Sequence, residues 1–168
     1  MKNIVKRLHT IFWYATTILT GVLAGFMVSH AIMLGRFFNW FITSGNEGLL
    51  HNTYTAFRLE YSPQVLYNIP LYLALVSGAI WTIVTFVLKK ERIVALTAGL
   101  STLWVGFIFY ATNLGKAEEA VLTGAADPVL TQHYLSVNIP LHALFAAIYL
   151  ISFALLLWAG RRAKRQEH

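Results

Sequence analysis

The stretch IPLHALFAAIYLISFALLLWA, residues 139–159, contains no Asp, Glu, Lys or Arg. A helix crossing a bilayer needs about 20 consecutive, mainly apolar residues, and this run supplies them. Residues 69–88 and 93–112 are equally free of those four residue types, and residues 11–34 add only one histidine, His30. The whole chain of 168 residues is 57% hydrophobic and 12% charged, about half the charge that an ordinary soluble domain turns to water. These runs predict an all-α, membrane-embedded protein in a single domain over 1–168. Its architecture is an up-down-up-down four-helix bundle with spans at about 11–34, 68–88, 93–114 and 138–159. The basic start and apolar run could imitate a secretory signal. Residues 11–34, however, outrun the roughly 7–15 residues of a signal core, so they read as an uncleaved first helix.

The net charge of +6 is an orientation signal once its charges are placed. Lys2, Lys6 and Arg7 precede the first span, Lys89, Lys90 and Arg92 lie between the second and third, and Arg161, Arg162, Lys164 and Arg165 follow the fourth. That is ten of the thirteen cations on one side. The opposite loops hold Arg36, Arg58 and Lys116 against Glu47, Glu60, Glu118, Glu119 and Asp127. Cytoplasmic loops are the ones rich in Lys and Arg. Both termini are therefore expected in the cytoplasm, with the long loops facing outward, in a bacterial inner (plasma) membrane. Anionic headgroups are the natural partners of the basic side. Nucleic acid is not, because no basic stripe with interleaved aromatics remains. With no cysteine, thiolate chemistry, iron–sulfur clusters and disulfides are excluded.

The outer loops carry structure of their own. Phe37, Phe38, Trp40 and Phe41 suit the headgroup level. Ser44 to Gly48 reads as a turn. Leu49 to Glu60 then predicts a short surface helix with Leu50, Tyr54 and Phe57 on one face. The second outer loop, 115–137, breaks at Gly124 and Asp127-Pro128. In the first span Gly21, Gly25 and Ser29 form a small-residue stripe, and Gly78, Gly99 and Gly106 read as further packing positions.

Tyr67-Asn68-Ile69-Pro70-Leu71-Tyr72 parallels Val137-Asn138-Ile139-Pro140-Leu141-His142, and residues 30–36 weakly parallel 110–116. The match suggests two tandem hairpins related by a pseudo-two-fold axis along the membrane normal. Asn before Pro at a span's start has a local reading, an N-cap with Pro in the first turn.

Polar residues inside the spans gather at one depth. His30 lies four residues before the outer end of its span, roughly 6 Å deep at 1.5 Å per residue. His142, Tyr72 and Tyr110 fall in the same layer by the same count, with Asn138 and Asn113 one turn away. Ionisable residues in a membrane are costly and point to function. Polar side chains also serve as interhelical glue, so that reading stands beside the functional one. A site of His30, Tyr72, Tyr110, Asn113, Asn138 and His142 could work in three ways. His30 and His142 could ligate copper, iron or zinc with a third ligand from His51, His133, Glu47, Glu60, Glu118 or Glu119. They could ligate a single haem b, the less favoured choice. A metal-free layer could instead abstract a proton from a lipophilic phenol or ketone and stabilise the resulting anion.

Thr20-Gly21-Val22-Leu23-Ala24-Gly25 in the first span and Val137-Asn138-Ile139-Pro140-Leu141-His142 opening the fourth resemble the anthrone-oxygenase-like family of small four-span membrane proteins. The family pattern often places a second Asn where this chain has His142, and only Asn138 and Pro140 carry over. The resemblance implies oxygenation of a polyketide-like aromatic without an obvious organic cofactor. The expected activity is thus an oxidoreductase or oxygenase acting on a lipophilic aromatic or quinone-like molecule, with metal assistance left open. The alternative is a non-catalytic membrane module: an accessory subunit or a carrier of a small ligand, haem or metal. Expected partners are the bilayer, the lipophilic ligand, and a second copy or another membrane protein.

Overall fold

The computed structural model describes residues 2–165, all of whose regular structure is helical. The cations counted at Lys2, Lys164 and Arg165, and the tail to His168, lie outside the residues whose side chains are described. Helix α1, Lys2–Ser29, passes through a π-helical turn, His30–Leu34, into α2, Gly35–Thr43. Next come α3, Glu47–Tyr61, and α4, Pro63–Val87. A short α5, Arg92–Val94, runs through a second π-helical turn, Ala95–Gly99, into α6, Ser101–Ala111. Helix α7, Leu114–Thr123, and the long α8, Pro128–Arg165, complete the chain.

Three stretches are long and apolar enough to cross a membrane: Asn3–Thr43, Val65–Val87 and Pro128–Arg162. A fourth exists if the bent pair Arg92–Gly99 and Ser101–Ala111 counts as one span. The third span expected over about 93–114 is present as that bent pair, the chain turning by 43° at Leu100. The cause is local. Gly78 of α4 and Gly99 meet so closely that a Cβ on Gly78 would collide with the Gly99 carbonyl. The π turn widens the helix there, and side chains take up its carbonyls. Thr82 Oγ1 donates to Ala95 O at 3.0 Å and Trp104 Nε1 to Leu96 O at 3.0 Å. Gly106, read as a third packing position, has open space around it instead.

The N-cap reading of Asn68 and Asn138 is also corrected. Helix α4 begins at Pro63 and α8 at Pro128, so both asparagines, with Pro70 and Pro140, lie inside helices. The cap of α8 is Asp127, whose Oδ1 accepts the Leu130 N–H at 2.7 Å, with Pro128 in the first turn.

Helix α1 packs against both α4 and α8. Its first turns are tied to the ends of those helices that lead to residues 89–92 and 161–162. Trp13 Nε1 donates to Leu156 O at 2.9 Å, and Trp81 Nε1 donates to His9 Nε2 at 3.2 Å. Trp81, Ala95, Ala98 and Leu156 form the apolar core of that basic end. At the other end α2, α3 and α7 close over a larger core that includes Leu23, Phe38, Leu50, Leu114, Leu122 and Phe145. The predicted surface helix is there as α3, with Leu50 buried, Tyr54 half-buried and Phe57 more open. His51 Nε2 donates to Val121 O at 2.8 Å, and His133 Nε2 to Thr112 O at 2.9 Å, which pins α3 and α8 to the α6–α7 region. Arg58 of α3 reaches Glu119 of α7 at 2.8 Å.

Candidate functional site

The first π turn places His30. In it the Gly35 N–H bonds to His30 O, and the wider backbone brings Gly35 against the ring: a Cβ at Gly35 would lie 3.0 Å from His30 Cδ2 and 3.2 Å from its Nε2. Facing this turn from α8, Asn138 is fully buried and every part of its amide is used. Its Nδ2 donates to Gly35 O at 3.2 Å and to Asn39 Oδ1 at 2.8 Å. A carbonyl oxygen can only accept, so Asn138 Oδ1 is the acceptor facing His30 Nε2 at 3.2 Å, and that nitrogen carries the proton. One turn along α8, His142 Nδ1 donates to the Asn138 backbone carbonyl at 2.8 Å. The two imidazoles stack with centroids 3.5 Å apart and planes 15° from parallel. Phe38 and Phe145 meet them edge-on, at 6.4 Å from His30 and 5.8 Å from His142. In their neutral forms His30 Nδ1 and His142 Nε2 are then the basic nitrogens, both outside the Asn138 network.

Both histidines line a cavity of about 510 Å³. Its walls are mainly apolar, with Leu23, Phe26, Met27, Leu71 and Phe109, and its other polar lining includes Tyr54, Tyr67, Asn68 and Glu118. A largely apolar cavity of roughly 300–1,000 Å³ with a few convergent polar groups is what a drug-sized ligand needs. Glu118 stands in the cavity wall on α7, outside the membrane-spanning helices. Burial pushes its carboxyl up to about 7; Arg58 pulls the other way, and Glu119 adds to the rise. Tyr54, on α3, is likewise raised, first by burial and then by the charge of Glu118. Near both, the fully buried Tyr134 hydroxyl has no hydrogen-bond partner among the described residues.

Of the six residues read as one layer, the structure brings together His30, Asn138 and His142. The other three are corrected. Tyr72 is 61% exposed and Tyr110 83% exposed, both on outer faces of their helices. Equal depth along a helix says nothing about its rotation, and that count carried no rotational information. Asn113 is exposed in the left-handed conformation, φ 53°, at the junction of α6 and α7, a conformation Asn tolerates better than most residues. The two halves of the internal repeat also differ here, since Asn138 and His142 are buried while Asn68 and Tyr72 are exposed.

A shared metal between His30 and His142 does not fit the observed rings. A ligand nitrogen offers its lone pair in the ring plane, and near-parallel stacked rings do not aim two such pairs at one ion. The same stacking leaves no room for a haem between them. Among the described residues no three His, Asp or Glu side chains converge as a metal site. His51 and His133 are spent on backbone carbonyls.

Asn39, the second acceptor for Asn138, escaped the sequence reading. Its signal was a lone amide in an aromatic run, four residues after Gly35 and so on the same helix face. Glu118 figured only as a spare metal ligand. No protein-family model, curated protein or solved structure matches this chain.

Proposed function

We propose that this is a four-span membrane oxidoreductase of the oxygenase type. It binds a lipophilic aromatic phenol, ketone or quinone-like molecule in the cavity near the outer membrane face. His30 and His142 supply the proton-accepting nitrogens, and Asn138 holds both rings in place. The observation that carries the reading is the stacked histidine pair, fixed through one fully buried asparagine, in the wall of an otherwise largely apolar cavity. An imidazole base next to a bound phenol or acidic ring C–H is suited to proton abstraction, and low polarity around it strengthens each hydrogen bond to the anion formed. The likeness to anthrone-oxygenase-like proteins narrows the ligand to fused aromatic ketones. It also implies oxygenation without an obvious organic cofactor.

The test uses the full chain in lipid nanodiscs, titrated with anthrone and with 2,3-dimethyl-1,4-naphthoquinone while intrinsic tryptophan fluorescence is followed. Oxygen uptake is recorded on anthrone addition. Saturable quenching is expected, weakened about tenfold or more in His142→Ala, which corresponds to one lost hydrogen bond of about 1.4 kcal/mol. Oxygen uptake should disappear in the His30→Ala/His142→Ala double variant. Equal quenching in wild type and double variant would show that the pair is interhelical glue. Binding without oxygen uptake would point to a carrier.

A further inference from the structure

The opposite, basic end of the helices holds a second cavity, of about 530 Å³, which the reading above leaves unused. Lys89 and Lys90 of the α4–α5 connection, Arg92 of α5 and Arg162 of α8 surround it, with one carboxylate, Glu91, in their midst. The connection is held in shape by its own backbone: Lys89 takes a left-handed conformation, φ 55°, and Lys90 N–H bonds to Thr85 O at 3.2 Å. Two of the cations are seated on aromatic faces, Arg92 at 5.4 Å from the Phe86 ring and Arg162 at 5.3 Å from the Trp158 ring. Right beside the cavity the surface turns apolar, with Val87 64% and Ile93 79% exposed.

Glu91 is the unusual member. Its Oε1 lies 4.0 Å from Arg162 Nε, too far for a hydrogen bond, and its buried Oε2 has no partner among the described residues. A buried carboxylate oxygen without a donor is costly, so this oxygen is a place where a donor from outside the chain would be stabilised. Four cations ask for an anion, while the orphaned carboxylate asks for a donor. The apolar skirt beside them suits hydrocarbon. One molecule offers all three.

We infer that this cavity binds a phospholipid headgroup, with the phosphate among Lys89, Lys90, Arg92 and Arg162 and a headgroup hydroxyl or ammonium donating to Glu91. The acyl chains then lie along Val87 and Ile93, at the depth where Trp158 marks the interface. The donor is what separates this site from general attraction between basic loops and anionic membranes. A headgroup with phosphate and a donor fits, as in phosphatidylglycerol, with its headgroup hydroxyls, or phosphatidylethanolamine, with its ammonium. Choline has no donor to give, and a bare phosphatidate lacks the arm. The Glu91 side chain lines the cavity and is itself 22% exposed.

Native mass spectrometry of the full chain in detergent tests this with four added lipids of matched acyl chains: glycerol, ethanolamine, choline and phosphatidate headgroups. The glycerol and ethanolamine lipids should bind about tenfold more tightly than the choline lipid, the gain of one charge-assisted hydrogen bond. Glu91→Gln should shrink that preference severalfold while leaving the choline lipid unchanged, and Lys89→Ala/Arg92→Ala should weaken all four. The wild-type comparison needs no variant, so a misfolded mutant leaves the test intact. Equal retention of choline and glycerol lipids overturns the proposal. So does a preference for phosphatidate, which would mean charge attraction alone. Displacement of bound lipid by millimolar inorganic phosphate would reassign the cavity to a free anion and likewise overturn it. None of these outcomes depends on the histidine cavity.

Discussion

Glu118→Gln should change how the stability of this protein depends on pH, and the sign follows from the structure. The carboxyl lies in the cavity wall, where burial favours its neutral form and raises it from 4.5 to about 7. Arg58 and Tyr54 of α3, Glu119 beside it on α7 and Tyr134 of α8 are the titratable groups acting around it, and Arg58 is already engaged by Glu119 at 2.8 Å. Because the folded state holds the proton more tightly than the unfolded chain, the folded protein binds more protons between these two values. Stability from this group is therefore greatest below pH 4.5 and is lost as pH rises through about 7. At about 1.4 kcal/mol per unit, the full shift corresponds to at most about 3.5 kcal/mol. Solvent screening through the open cavity removes part of that, so about 1–2 kcal/mol is the expected change. Glutamine mimics the protonated carboxyl and cannot ionise. The assay is reversible unfolding in detergent micelles, followed by tryptophan fluorescence at several pH values from 4 to 8. The wild type should lose stability relative to Glu118→Gln between about pH 4.5 and 7 and level off at either side. A difference that stays constant, or that moves in favour of the wild type as pH rises, would refute the placement of a protonated carboxyl in the cavity wall.

Other perturbations read other parts of the site. Asn138→Leu removes the donors to Gly35 O and Asn39 Oδ1 and the acceptor for His30, and should cost about 2–5 kcal/mol in the same unfolding assay. Gly35→Ala sets a methyl 3.0 Å from the His30 ring and should weaken ligand quenching while costing about 1–3 kcal/mol of stability. Gly78→Ala drives a methyl into the Gly99 carbonyl at the α4 crossing and should destabilise by about 1–3 kcal/mol or more, without altering ligand affinity in the protein that remains folded. Tyr72→Phe and Tyr110→Phe touch exposed rings and should leave both stability and binding within about 0.5 kcal/mol of wild type.

The all-helical, largely apolar character of the chain and the surface helix were legible because both rest on composition and periodicity, which the chain writes locally, whereas three spans, or four if the bent pair is one, is all that the helices themselves show. Leu50 and Tyr54 fall on the covered face of α3 because residues four apart share a face. The histidine pair was legible for a different reason: an ionisable group in an apolar run has to be accommodated somewhere. Tyr72 and Tyr110 went wrong at the next step. Depth along a span follows from counting, but which way a residue points follows from helix rotation, and that is set by contacts such as Gly78 against Gly99. The π turns were beyond reach for the same reason, since each is a local widening imposed by a neighbour rather than by its own sequence. Asn39 and Glu118 needed two distant segments to be superposed before either had a visible partner.

The structure bears directly on the choice between glue and site. Polar residues that merely fasten helices in a membrane are worth about 0.6 kcal/mol per contact on average, and they do their work by using up their donors and acceptors on one another. Asn138 behaves in that way: its amide is fully spent on His30, Gly35 and Asn39. The two imidazoles do not. Each gives one nitrogen to Asn138 and keeps the other, and both rings form part of the wall of a cavity of about 510 Å³. If fastening were the only role, a side chain with a single donor, such as Tyr, could serve the same bond without leaving a second nitrogen to hide. The reserve of two basic nitrogens in the wall of a cavity that Glu118 also lines is capacity that packing does not use. On the proposed reading it exchanges protons with a ligand in the cavity, so a loss of binding on His142→Ala, with the Asn138 network still intact, separates the two accounts more cleanly than any loss of stability.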